Sequence, residues 1–187
     1  MGFFITVFSL ASYASDALGL SQTKAAALQS ILSAGQMFGR PMVGLGLDYA
    51  GRINTTIIIH FLSGLSCFAF WLPARSFALL AVFAITIGGL GGTVWGATPP
   101  IAQSVIGTQH LASALGVYWV IVAVPACMAS PIAISLLDRL QGDAPTRTAE
   151  TYQASIALCG VFYITAGVVA LGAKRYVQGN WRIMQKA

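Results

Sequence analysis

A chain of 187 residues that is 57% hydrophobic, 8% charged and carries 20 glycines lies far from the roughly 25% charged residues of a soluble domain. It reads as an all-α integral membrane protein. Ten Lys and Arg against five Asp and Glu give a formal charge of +5, but the basic residues are scattered at segment ends, which speaks for membrane orientation and against a nucleic-acid surface. Cys67, Cys127 and Cys159 all fall in apolar stretches and offer neither a disulfide framework nor metal-ligand spacing, so they read as packing residues.

Met1 to about Ala14 is apolar and aromatic but shorter than the ~20 residues that cross the hydrocarbon. It is either a partial crossing or the start of a truncated copy, and it lacks the basic start of a secretory signal. Ser15 to Thr23 is polar enough for an aqueous loop. The second span, residues 24–47, contains Arg40 among Ala, Leu, Ile, Met, Phe, Val and Gly. An ionisable group there costs roughly 2.5–3.5 kcal/mol at mid-bilayer and usually faces a protein interior or a water-filled path. Gln29, Ser33 and Gln36 precede Arg40 at helical spacing, so the four form one polar stripe that Gly44 continues. Such a stripe lines a cavity or a helix contact, and a guanidinium within it suits a carboxylate. The alternative is an arginine that snorkels to the headgroups, because Asp48 follows only about 12 Å further along the axis. Pro41 removes one backbone donor and predicts a kink.

Asp48 to Asn54 predicts a tight loop, and residues 55–72 a third span. His60 within it reads as a hydrogen-bonded helix residue, with a proton relay as the alternative. After a very short turn comes a fourth span, 77–98, where Gly88, Gly92 and Gly96 clear one face for another backbone. No strand is predicted before GGLGGTVWG, which excludes a phosphate loop. Pro99 and Pro100 are expected to end this helix, and Gln103 to His110 to connect it to the fifth span, 111–137. Pro125 and Pro131 predict a bent or broken helix there, and Tyr118 and Trp119 read as core, or else as cavity lining. Asp138 to Glu150 is the longest polar loop, and 152–173 the sixth span. Lys174, Arg175, Arg182 and Lys186 form a basic tail. The charge count on the two sides is nearly even, and the dense tail beside the last span places the C-terminus in the cytosol. The Asn54-Thr55-Thr56 triplet then faces the cytosol, where it stays unglycosylated.

The run Gly44-Leu45-Gly46-Leu47-Asp48-Tyr49-Ala50-Gly51-Arg52 resembles the signature loop between the second and third spans of a six-helix half in the major facilitator superfamily. Tyr49 stands where that family usually has arginine. Gly39-Arg40-Pro41 with Gly44 and Asp48 is similar to the eighth span of the monocarboxylate-porter branch, fungal members especially. Phe70-Trp71-Leu72-Pro73-Ala74, Val105-Ile106-Gly107, Ser113-Ala114-Leu115, Pro131-Ile132-Ala133 and Tyr152-Gln153-Ala154 follow in the family's order. The resemblance implies a single domain of six transmembrane helices, the first partial, equivalent to the C-terminal half of a twelve-helix transporter. It further implies secondary transport of small organic anions by alternating access, without enzymatic activity or cofactor. Arg40 is the expected anion contact, with Gln36, Ser33 and Gln29 lining its approach. Asp48, Gly51 and Arg52 are the expected conformational latch, the acid capping a helix and pairing with a base.

Gln36 stands where animal members carry an aspartate linked to proton coupling, which leaves protons open as a partner. The other expected partners are the lipid bilayer and a six-helix N-terminal half or a second copy, and the expected location is the plasma membrane, with the vacuolar membrane as alternative. Riboflavin or another small solute is the alternative substrate, and a transport-incompetent fragment the alternative function.

Overall fold

A computed structural model describes residues 1–92, 94–141 and 148–178, which are helical apart from short connections. The helices are α1 (Gly2–Ser12), α2 (Gln22–Ala50), α3 (Arg52–Ser66), α4 (Phe77–Gly91), α5 (Val94–Ile106), α6 (Leu111–Gln141) and α7 (Ala149–Gln178). π-helical turns at Tyr13–Ala17 and Cys67–Trp71 prolong α1 and α3. Three of these segments are long and apolar enough to cross a membrane: Arg52–Trp71, Leu111–Gln141 and Ala149–Arg175. Phe77–Gly91 is apolar but shorter. α2 runs for 29 residues yet carries the polar stripe, which lowers its mean hydropathy.

Small residues decide which helices meet. The buried positions of α2 are Ala25, Leu28, Leu32, Gly35, Gly39, Val43 and Leu47, a stripe at three- and four-residue spacing. It packs on α4, with Ile85, Gly88 and Gly89 at the crossing. At the crossing a Cβ on Gly35 would lie 2.7 Å from the Ile85 carbonyl oxygen, one on Gly39 would overlap the Gly89 backbone, and one on Gly88 the Leu32 carbonyl. Backbone meets backbone there, as small-residue membrane interfaces allow. The second large contact, α3 on α7, sets Gly64 against Ile164 and the Gly160 carbonyl, and Gly160 against the Phe68 ring.

Aromatic residues close one end of the bundle. The Trp71 and Phe83 rings stack at 4.9 Å, Tyr13 meets Tyr152 edge-on at 5.3 Å, and the Tyr13 hydroxyl donates to the Ala74 carbonyl at 2.6 Å. Tyr152 donates to Asp16 at 2.9 Å, so the π-helical turn at the end of α1, expected as part of an aqueous loop from Ser15, is anchored to α7.

Four local expectations change. The loop expected over Asp48–Asn54 shrinks to Gly51 alone, because this glycine adopts φ +88°, ψ 148° and reverses the chain in one residue. Pro99 and Pro100 do not end the helix; they lie inside α5, while the break falls after Gly91. The fourth span is therefore two helices, and its connector to α6 shortens to the residues around Gly107, φ +80°. α6 continues through Pro125 and Pro131, so the broken form expected there as one alternative is not adopted, and α2 likewise continues through Pro41, since each proline removes only one backbone bond from a helix of about thirty residues. Lys174, read as a tail residue, is fully buried, because α7 continues to Gln178. Arg147, Arg182 and Lys186 lie outside the described residues.

Gly51 supports a direct test. Its dihedrals fall where a side chain is strained by about 1–3 kcal/mol, so Gly51→Ala should lower the unfolding midpoint of the detergent-solubilised protein by several degrees. An unchanged midpoint would mean that the α2–α3 reversal tolerates another backbone conformation.

Candidate functional site

α2 presents two faces with opposite jobs. One is the glycine face described above; the other carries the polar stripe. Gln29 is half-buried, and its Oε1 is buried without a hydrogen-bond partner among the described residues. Ser33 is exposed but returns its hydroxyl to the Gln29 carbonyl at 3.0 Å, which satisfies it within its own helix. Gln36 is half-buried and packs over Gly92, where a Cβ would lie 2.5 Å from Gln36 Cγ. Arg40, one turn on, is exposed and makes no ion pair or hydrogen bond among the described residues. A free guanidinium on an apolar helix is a ready donor fork for a carboxylate.

The latch residues come together differently. Asp48 is exposed and unpaired among the described residues. Arg52 Nη1 instead donates to the Pro100 carbonyl at 2.6 Å. That carbonyl lies midway along α5, so the bond is a side-chain contact to the main chain of the helix body. Arg52 thus ties the start of α3 to α5, and Gly51 makes the turn that delivers it there. Arg52→Gln, which removes the charge, should shift the distribution between conformations, read as altered accessibility of a cysteine placed at Ala102 to a water-soluble thiol reagent. Identical labelling rates in both proteins would refute that role.

His60 behaves as the bonded helix residue expected from its position: Nδ1 lies 2.8 Å from the Thr56 carbonyl. It also borders a cavity of about 410 Å³, together with Phe3, Trp95, Phe162 and Tyr163, that hydropathy alone did not reveal. Cys67 and Cys159 are buried as packing residues, and Cys159 Sγ contacts the Thr6 hydroxyl and the Gly2 carbonyl, both at 3.0 Å. Cys127 is exposed on α6. Tyr118 and Trp119 split: Tyr118 is half-buried with its hydroxyl accepting from Thr98 at 3.3 Å, while Trp119 is 51% exposed and stacked on Trp95 at 5.5 Å. The Trp95–Trp119 pair escaped sequence reasoning because the two residues sit on different helices; the only hint was tryptophan in glycine-rich and apolar surroundings.

No protein-family model matches the chain. Among curated proteins it is similar to the probable transporter MCH2 of Saccharomyces cerevisiae, 27% identical over 136 residues that cover 73% of this chain and 28% of that protein. It is 29% identical over 164 residues to the MFS transporter asaE of Aspergillus flavus, covering 87% of this chain and 36% of the relative. With the MFS-type transporter hasB of Aspergillus fumigatus it shares 30% identity over 162 residues, covering 84% and 34%. The chain belongs to the major facilitator superfamily. It spans about a third of the length of these relatives. The Gly44 to Arg52 run, which resembles the superfamily's signature loop, is helical up to Ala50 and turns on a single glycine. Together with the apolar helices, this membership makes the chain an integral membrane protein.

Proposed function

We propose that the chain is part of a secondary transporter of small organic anions of the monocarboxylate type, working by alternating access. The observation that carries the proposal is Arg40: a charged, exposed side chain without a protein partner among the described residues, on the polar face of an otherwise apolar helix. A cation in that setting is stabilised when an anion binds, and its planar fork matches a carboxylate. Gln36 and Gln29 flank the approach with amide groups. Ser33 adds little more than a small surface, because its hydroxyl is already bonded. Asp48, Gly51 and Arg52 act as the latch, with the Arg52–Pro100 bond as the engaged form.

The names of the relatives, all transporters, support transport in general. In this reading the described helices form the C-terminal six-span half of the fold, with the tail in the cytosol. The polar face of α2 then meets an N-terminal half or a second copy, since substrate sites of such transporters lie between repeats. Gln36 cannot carry a proton, so coupling to protons through that position is not part of the proposal.

The test is uptake of radiolabelled lactate and pyruvate by transport-deficient yeast. One strain expresses the 187-residue chain, a second the reading frame extended upstream through any in-frame codons. Uptake by either form above the empty-vector control supports organic-anion transport. No uptake by both, with correct insertion, removes monocarboxylates as the substrate.

A further inference from the structure

The cavity of about 410 Å³ beside His60 lies between α1, α3, α7 and the junction of α4 with α5. Its volume falls within the range of small-molecule sites, roughly 300–1,000 Å³. It is apart from the polar stripe. Gly88 and Gly89 of α4 face α2, whereas Gly91 faces Tyr163 of α7, and no residue of α2 lines the space among the described residues.

Two of its polar groups have no use in the fold. Tyr163 is only 5% exposed, and its hydroxyl has no hydrogen-bond partner among the described residues. The neighbouring Thr6 hydroxyl is already committed to the Gly2 carbonyl and in contact with the Cys159 sulfur, both at 3.0 Å. A buried hydroxyl left unbonded is costly, and phenylalanine would fill the same space without that cost. Glycine at position 91 keeps the hydroxyl's place open, since a Cβ there would lie 2.6 Å from the Tyr163 oxygen. His60 supplies the complementary group. The Thr56 carbonyl can only accept, so the 2.8 Å contact puts the proton of the neutral ring on Nδ1 and leaves Nε2 as an acceptor. Nε2 makes no hydrogen bond among the described residues.

The His60 and Tyr163 rings stand 6.4 Å apart, so an unused acceptor on α3 and an unused donor on α7 border one cavity. Phe3, Trp95 and Phe162 wall it with aromatic rings, Phe3 meeting Trp95 edge-on at 6.2 Å. No Lys, Arg, Asp or Glu side chain lines it among the described residues, so a neutral ligand fits. A ligand hydroxyl answers both polar groups, because it accepts from Tyr163 and donates to His60. An aromatic body suits the walls.

We propose that this cavity binds a neutral phenol, its hydroxyl between Tyr163 Oη and His60 Nε2 and its ring among Phe3, Trp95 and Phe162. It is a second ligand site, independent of the anion reading of Arg40.

The experiment measures saturable binding of tritiated 1-naphthol and of tritiated naphthalene to the purified full chain in lipid nanodiscs, with binding to empty nanodiscs subtracted. The parent should hold 1-naphthol about tenfold more tightly than naphthalene, the hydroxyl being the sole difference between the probes. Tyr163→Phe should erase that preference with naphthalene binding retained, and its melting midpoint should not fall, since it removes an unbonded buried hydroxyl. His60→Phe should likewise weaken naphthol alone. Ala166→Leu, which fills the cavity from α7, should weaken both probes, and a large excess of lactate should displace neither. Equal affinity of the parent for the two probes, or a preference for naphthol that survives both Tyr163→Phe and His60→Phe, overturns the proposal and leaves the two polar groups to water. A lowered midpoint in Tyr163→Phe would mean that the hydroxyl is bonded within the protein and would overturn it as well. Absence of saturable naphthol binding, or its displacement by lactate, has the same consequence, while the Arg40 reading stands or falls on uptake.

Discussion

Arg40→Ala is expected to lower kcat/KM for organic-anion uptake on the order of 100-fold, and Arg40→Lys on the order of tenfold. A charge-assisted hydrogen bond contributes about 1.5–3 kcal/mol, and each 1.4 kcal/mol corresponds to about tenfold. The alanine variant loses the charge and both branches of the fork. Lysine keeps the charge but replaces the planar, two-pronged donor by a point. Because Arg40 makes no ion pair or hydrogen bond among the described residues, its removal leaves no orphaned partner behind. Stability should therefore change little, and the loss should appear in transport alone. The measurement is initial uptake rate against substrate concentration, normalised to surface-inserted protein, with the melting midpoint of each variant beside it. Parent-level uptake in both variants would place Arg40 at the headgroups as a snorkelling residue. A large fall in melting midpoint would give it a structural role instead.

The largest effect on stability should come from Gly88→Leu, with Gly39→Leu close behind. In each case even the first added carbon overlaps backbone, the Leu32 carbonyl for Gly88 and the Gly89 main chain for Gly39. No rotamer change relieves a collision with main chain, so α2 and α4 must move apart along their whole contact. Overpacking of a tight interface costs roughly 1–3 kcal/mol and more where backbone must shift. Both variants should give little monodisperse protein on size exclusion in mild detergent, and what survives should melt well below the parent. Gly92→Leu should be milder, because its first obstacle is the flexible side chain of Gln36. Gly44→Ala and Gly116→Ala meet nothing within 4 Å among the described residues, and alanine is a better helix former by about 0.5–1 kcal/mol. They should equal or exceed the parent. If Gly88→Leu melts with the parent, the α2–α4 contact is not what holds the bundle.

Glycine also shows how unevenly the sequence could be read. Gly88 and Gly92 on one helix announced close packing by their four-residue spacing. Gly88 and Gly92 meet Leu32 and Gln36, while Gly35 and Gly39, which meet Ile85 and Gly89, lay inside the span that holds Arg40 and read there only as neighbours of a charge. Gly96 continues the same pattern on the far side of the helix break, and no described residue lies within 4 Å of its Cβ position. Spacing along one chain reports which face is small; it does not report what arrives at that face.

The site divides in the same way. Helical phase alone puts Gln29, Ser33, Gln36 and Arg40 on one side of α2, and the fold keeps them there because α2 runs unbroken from Gln22 to Ala50. The latch was legible as a set of residues but not as a set of bonds. Asp48 and Arg52 are near in sequence, yet Gly51 turns the chain between them, and Arg52 finds a carbonyl on α5 instead. Pro99 and Pro100 misled as a helix end, since lost backbone bonds do not end a helix whose faces are held by its neighbours.

The membrane character of the chain, its helical class, its polar stripe and its family resemblance follow from local facts: composition, a period of 3.6 and short runs of residues in order. Those properties depend on neighbours along the chain, so one dimension suffices to find them. The close contact of α2 with α4, the tryptophan pair between α5 and α6 and the partner of Arg52 depend on residues from about 24 to 56 positions apart being brought to within a few ångströms. Only packing in three dimensions decides such pairs, because it selects among many faces of similar apolarity by how closely their backbones approach.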